Sequence, residues 1–241
     1  MPFFQDLVEL IIVPPGDLVY HLVTLFAIQL ILGIALGHWN RQRQDPEAIR
    51  LLVAGVGFTL TRVLLMLIAI LDRVGSLPPV TFLPPFERFL DLVVLLLGVW
   101  AFLPVVGRYT RVSVIILLIM LLWAVIAYAV LAALWRPLAG QGVPYNGYWH
   151  ETVWEAFSVT VLGLALIASL LWRQGDWSLA ACLFLLWLSG HSLQLFHPFP
   201  AGSNTAGWVR LANLAALPLA AALVYRHALS AAPTYATADT G

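Results

Sequence analysis

Apolar side chains run along most of the chain, and the polar interruptions fall at intervals that suit membrane spans. Seven segments, 18–37, 51–71, 89–106, 112–135, 152–172, 178–196 and 206–225, are apolar over close to the length needed to cross hydrocarbon as a helix, about 20 residues. No stretch alternates at period two between turn signals, so no strand is predicted. The pattern predicts an all-α polytopic membrane protein of seven transmembrane helices. Residues 3–13 are apolar but too short to span, and Pro14-Pro15-Gly16 stops them. They predict a short helix in the interface with Phe3, Phe4, Leu7, Leu10 and Ile11 toward the acyl chains. The chain then divides into an interfacial segment 1–17, a seven-helix domain 18–227 and an Ala-, Ser- and Thr-rich linker 228–241.

The connections are asymmetric. Arg41, Arg43, Arg50, Arg108, Arg111, Arg173 and Arg226 fall on one side of the predicted bundle; Arg73, Arg88 and Arg136 fall on the other. Positive charge marks the cytoplasmic side, which predicts an outside N-terminus and an inside C-terminus. Trp135, Trp149, Trp154 and Trp208 then sit at outer helix ends and Trp39, Trp172 and Trp177 at inner ends, as interfacial belts. Trp100, Trp123 and Trp187 sit deeper, as core. The outer loops, 75–85, 137–148 and 198–207, are long and rich in turn formers, long enough to fold over the bundle as a lid.

Polar side chains inside the spans gather toward that outer side. Asp17 and His21, Glu87 and Asp91, and Glu151 and Glu155 each repeat at i, i+4, while His191 and Gln194, and Arg210 and Asn213, repeat at i, i+3. Each pair shares one helix face. Together they predict a polar pocket open to the outside. Arg62 lies in the middle of 51–71, where facing lipid would cost roughly 2.5 kcal/mol or more. It lies about 14 Å below the outer end of its helix at 1.5 Å rise per residue. Its side chain is expected to reach the pocket floor and pair with Glu155. The candidate ligand-binding residues are Arg210, Glu155, His191, Asp91 and Arg62. Asp17, Glu87 and Glu151 are expected to be solvated at helix N-termini, Gln29 to hydrogen-bond between helices, and His197 to have no special role.

Composition narrows the chemistry. Only 10% of the 241 residues are charged, against about a quarter in a soluble domain. Formal net charge is zero, so nothing argues for nucleic acid as a partner. The chain has no lysine, which excludes a retinal Schiff base. The lone cysteine, Cys182, lies in an apolar run and is expected to be inert packing. The first residues carry Asp6 and Glu9 and no basic residue, which does not suit a cleavable signal peptide. No Glu-x-x-His repeat or His-x-x-x-His pair is present. Gly190-His191-Ser192 opens like a nucleophile elbow, but Gln194 replaces the second glycine and no strand precedes it. No catalytic residue, metal ligand or cofactor is therefore assigned. The small residues around 189–192 are expected to let helices approach closely.

Two stretches carry a resemblance. One is Pro84-Pro85-Phe86-Glu87-Arg88-Phe89-Leu90-Asp91 with the apolar run 95–103; the other is Gly207-Trp208-Val209-Arg210-Leu211-Ala212-Asn213-Leu214, with Pro218-Leu219 and Tyr225-Arg226. Both resemble the seven-helix membrane input region of bacterial sensor histidine kinases with cytoplasmic GAF or PAS modules, over nearly the whole chain to about His227. The resemblance implies a multi-pass protein of the bacterial inner membrane. Its role would be signal input in a two-component system, not catalysis, and any kinase activity would lie in modules outside residues 1–241. It implies as partners the lipid bilayer, a small ligand of unassigned identity, cytoplasmic signalling modules in the same or a partner chain, and a second copy in a dimer. In the expected mechanism, an extracellular or interfacial ligand enters the outer pocket and the last helix carries the signal inward, with Pro218 as a hinge and His191 adding pH dependence. The alternatives are a transporter-like protein, whose polar groups would continue through the inner half, and a structural or metal-binding subunit.

Overall fold

The computed structural model describes residues 2–13, 16–73 and 81–230. Among them every regular element is helical: α1 Pro2–Ile12, α2 Gly16–Arg41, α3 Pro46–Arg73, α4 Leu83–Phe102, α5 Thr110–Ala139, α6 Trp149–Leu171, α7 Trp177–Phe196 and α8 Gly207–Ser230, with a 3-10 turn at Pro104–Tyr109. Residues 75–80 of the predicted outer loop 75–85 and the tail from 231 lie outside the described residues.

Six helices are long and apolar enough to cross a membrane: Asp17–Arg41, Pro46–Ile68, the run Pro104–Ala139, Trp149–Leu171, Trp177–Phe196 and Gly207–Ser230. Their outward faces carry large apolar side chains, among them Phe26, Leu30, Leu60, Ile119, Leu122 and Leu164. Such a surface requires an apolar solvent, and the chain is a multi-pass membrane protein. The remaining long helix, α4, has 20 residues and carries Glu87, Arg88 and Asp91 in its first half. It begins earlier and ends earlier than the predicted 89–106. Pro84 and Pro85 sit in its first turn, where a missing N–H costs nothing. Pro104 ends the regular helix and starts the 3-10 turn. The shift brings Glu87 and Arg88 inside the helix.

Six helices close into a ring. α2 packs on α3, α3 on α4, α4 on α6, α6 on α7, α7 on α8, and α8 back on α2. α5 docks outside the ring against α4, and only 17% of its most apolar window is buried against 67% for α8. Of the six apolar spans α8 is thus the best buried and α5 the most peripheral. Small residues set the ring's closeness. A side chain at Gly190 would strike Ala212 and the Trp208 backbone on α8, and one at Gly98 would strike Trp187. Gln29 on α2 donates to Thr59 on α3 at 3.4 Å, the expected interhelical bond.

Three expectations change here. α1 does not simply lie in the interface: Val8 and Ile11 are buried, and Val8 and Ile12 pack so close to Gly207 of α8 that a Cβ there would clash, while Phe3, Phe4 and Leu10 stay exposed. Cys182 points outward from α7 rather than into the core. Trp135, Trp154 and Trp208 are buried, not belt residues, because the segments 140–148 and 197–206 fold over them; Trp149 and Trp172 are half-exposed.

Candidate functional site

Inside one end of the ring lies a buried network of charges. Arg88, on the first turns of α4, is its centre at 2% exposure. Its guanidinium donates to Glu151 Oε1 on α6 at 3.0 Å and to Asn146 Oδ1 at 3.0 Å. It also lies 3.7 Å from Glu155 and 3.9 Å from Glu87. Glu151 accepts from Gln194 Nε2 of α7 at 2.9 Å and from the Gly147 backbone at 2.7 Å. Glu155 lies 2.6 Å from His191 Nδ1, a contact that joins α6 to α7. Arg210 of α8 donates twice to Glu87 Oε1 of α4, at 2.8 and 3.1 Å. Charge-assisted bonds of this kind are the strong ones, and an arginine fork adds direction to strength.

Tyr20 of α2 extends the network across the ring. Its hydroxyl accepts from Arg62 and from Asn213 Nδ2, each at 3.4 Å, and the guanidinium groups of both Arg62 and Arg210 sit about 5 Å from its ring centroid. Arg62 Nη1 is 3.2 Å from His21 Nδ1. Asn213 in turn accepts from the Trp187 indole at 3.0 Å. Residues of α2, α3, α4, α6, α7 and α8 are therefore tied into one polar unit.

A lid covers it. The segments 140–148 and 197–206 interlock through Asn146, whose amide donates to Pro200 O, Ser203 Oγ and Thr205 O between 2.8 and 3.0 Å. Tyr145 N–H donates to Asn204 Oδ1 at 2.9 Å. Gly147 takes φ +80°, which a side chain would oppose, and that turn aims its N–H at Glu151. The Trp154 indole donates to the Tyr145 hydroxyl and the Trp208 indole to His197 O. Burial pushes the Tyr145 phenol well above its usual range, so it stays a neutral hydrogen-bonding group. His150 is 1% exposed, with Trp149 stacked on it at 3.9 Å and Trp135 edge-on at 6.3 Å.

All five candidate residues fall in or beside this network. Glu155 and His191 pair directly. Arg210 and Arg62 share Tyr20. Asp91, half-buried, lies among Glu87, Arg88, Arg62 and His191, with no ion pair within 4 Å among the described residues. The expected Arg62–Glu155 pair does not form. Arg88 occupies the space beside Glu155, and Arg62 turns toward Tyr20 and His21 on α2 instead. Glu87 and Glu151, expected to be solvated, are 6% and 2% exposed and each is bonded to an arginine. Arg88, Tyr20 and Asn146 were missed. The one available signal was Pro84-Pro85, which starts the helix early enough to place Arg88 inside it.

Four cavities of about 310 to 510 Å3 lie elsewhere. None is lined by Arg62, Asp91, Glu155, His191 or Arg210. One of them, about 490 Å3 and lined almost wholly by apolar groups, opens between α4, α5 and α6 and includes Trp100, Ser113 and Met120. Among the described residues no group of three His, Cys, Asp or Glu is placed to hold a metal ion. No family model, curated protein or solved structure matches the chain.

Proposed function

We propose that this chain is a membrane sensory input module of seven spans, with α4 as the seventh, the network end outside and the arginine-rich end in the cytoplasm. The observation that carries the reading is the Arg210–Glu87 contact. It fastens α8, the most buried of the six apolar spans, to α4 across the ring. A ligand acts only through a difference in affinity between two arrangements, and a buried ion pair is a contact whose loss is costly enough to separate two arrangements. Glu87, Asp91, Glu151 and Glu155 gather with Arg62, Arg88 and Arg210, and His21 and His191 lie beside them. The ligand such a carboxylate-rich cluster would take is a small positive charge, a proton or a cation. Entry requires the Asn146 lid to lift.

Below the network Phe58, Trp187 and Leu92 are fully buried and close-packed. That apolar layer favours a sensor over a transporter, which needs a polar path through both leaflets. The test is a chimera in which α8 runs into a histidine kinase catalytic half with a transcriptional reporter. Glu87→Gln and Arg210→Met should both lock the output in one state and abolish its response to external pH. Output that ignores both substitutions while folding is normal would refute the role. Reporter fusions after residues 108, 140 and 174 should place 108 and 174 inside and 140 outside.

A further inference from the structure

The opposite, arginine-rich end holds a second polar feature that the network does not use. Arg50, on the second turn of α3, is 6% exposed. Its Nε and Nη1 are buried without a hydrogen-bond partner. No other guanidinium at that end of the bundle is so placed: Arg41, Arg43, Arg108, Arg111, Arg173 and Arg226 are exposed or half-exposed. Arg50 lines a cavity of about 310 Å3 with Gly107, Gln174, Asp176, His227 and Ser230. A methyl group at Gly107 would lie 3.4 Å from Arg50 Nη2, so the missing side chain there leaves the guanidinium an open side.

The acidic groups nearby are already engaged. Glu47 is 2.8 Å from His227 Nδ1, Asp176 is 2.7 Å from Arg226, and Asp45 is 3.5 Å from His38. Glu47 and Asp176 line the same cavity, and their partners keep them from closing on Arg50. A buried guanidinium with two unsatisfied donors is costly, and its planar fork matches phosphate. The geometry points to an anion site in which Arg50 holds a phosphate group, supplied by a phospholipid headgroup or by a free phosphate. Basic pockets between helices at the cytoplasmic surface suit such groups. The cavity volume is at the lower end of the range of small-molecule sites, about 300–1,000 Å3. Because His227 and Ser230 belong to α8, the occupant would brace the helix proposed above as output. The site itself stands independently of that reading.

The test uses the full chain and thermal unfolding followed by tryptophan fluorescence. In one arm, inorganic phosphate replaces chloride at equal ionic strength in nonionic detergent. In the other, the same nonionic detergent is compared with and without added phosphatidylglycerol. Binding to the folded state raises the unfolding midpoint. At least one arm should raise it in the wild type and in Arg111→Gln, an exposed arginine at the same end. In Arg50→Gln binding should weaken about 10- to 100-fold, as expected for a lost charge-assisted contact. Gly107→Ala keeps the charge and narrows the open side, and it should weaken binding if Arg50→Gln fails to fold. A phospholipid retained in native mass spectra of the wild type but lost from Gly107→Ala identifies the lipid source. No stabilisation in either arm, or equal stabilisation of wild type, Arg50→Gln and Gly107→Ala, overturns the site.

Discussion

Arg88 offers the sharpest perturbation of the network. Replacing it with Met keeps much of its volume and removes its charge. Glu151 then loses a 3.0 Å partner and Glu155 a 3.7 Å one, both carboxylates being at most 2% exposed. Breaking a buried pair from one side costs about 3–5 kcal/mol. Glu151 keeps its bonds from Gln194 and Gly147, and Glu155 keeps His191, so the lower part of that range is expected. Glu151→Gln alone strands part of Arg88 and should cost about 2–3 kcal/mol, the penalty of an unsatisfied buried group. The double variant removes both charges together. It should recover about 1.5–3 kcal/mol relative to the sum, the coupling expected of residues in one network. Unfolding in mixed detergent micelles, followed by circular dichroism, gives the three differences. Effects additive within about 0.5 kcal/mol would refute the picture of Arg88 as the centre of a buried network.

Other positions test the packing and the lid. Gly98→Val should destabilise the bundle by about 1–3 kcal/mol through overpacking, because the Trp187 ring lies 2.7 Å from its Cβ position; a neutral result in the same assay would show that α4 and α7 can separate. Trp154→Phe removes the donor to the Tyr145 hydroxyl and should cost about 1 kcal/mol, with faster proteolysis in 140–148. Gln29→Ala breaks the Thr59 contact and should cost no more than about 0.6 kcal/mol, small because the bond lies on the exposed face.

The helical architecture was legible because apolar runs and proline stops are local signals. Six of the spans follow from them directly. The clustering of Glu155, His191, Asp91, Arg210 and Arg62 toward one end was also legible, because i, i+3 and i, i+4 spacing fixes helix faces. Which charges meet was not. Arg62 and Glu155 do not meet: Arg62 faces α2, and only the closure of the ring shows that. Arg88 looked like a loop residue because charge so near a helix start is usually solvated. Its burial depends on two loops distant in sequence folding over it through Asn146. Arg50 was counted only as a topological charge, since nothing local shows that its donors lack partners.

In the proposed sensor the Arg210–Glu87 contact sets where α8 stands. Spin labels on Tyr225→Cys in α8 and Leu171→Cys in α6, both exposed, in a Cys182→Ser background, measure that position at the arginine-rich end. Glu87→Gln and Arg210→Met should each shift the distance distribution by about 1–2 Å or more, the scale of helix shifts in switching proteins, and should shift it alike. Distributions that match the unmutated pair, in protein that remains folded, would contradict the account.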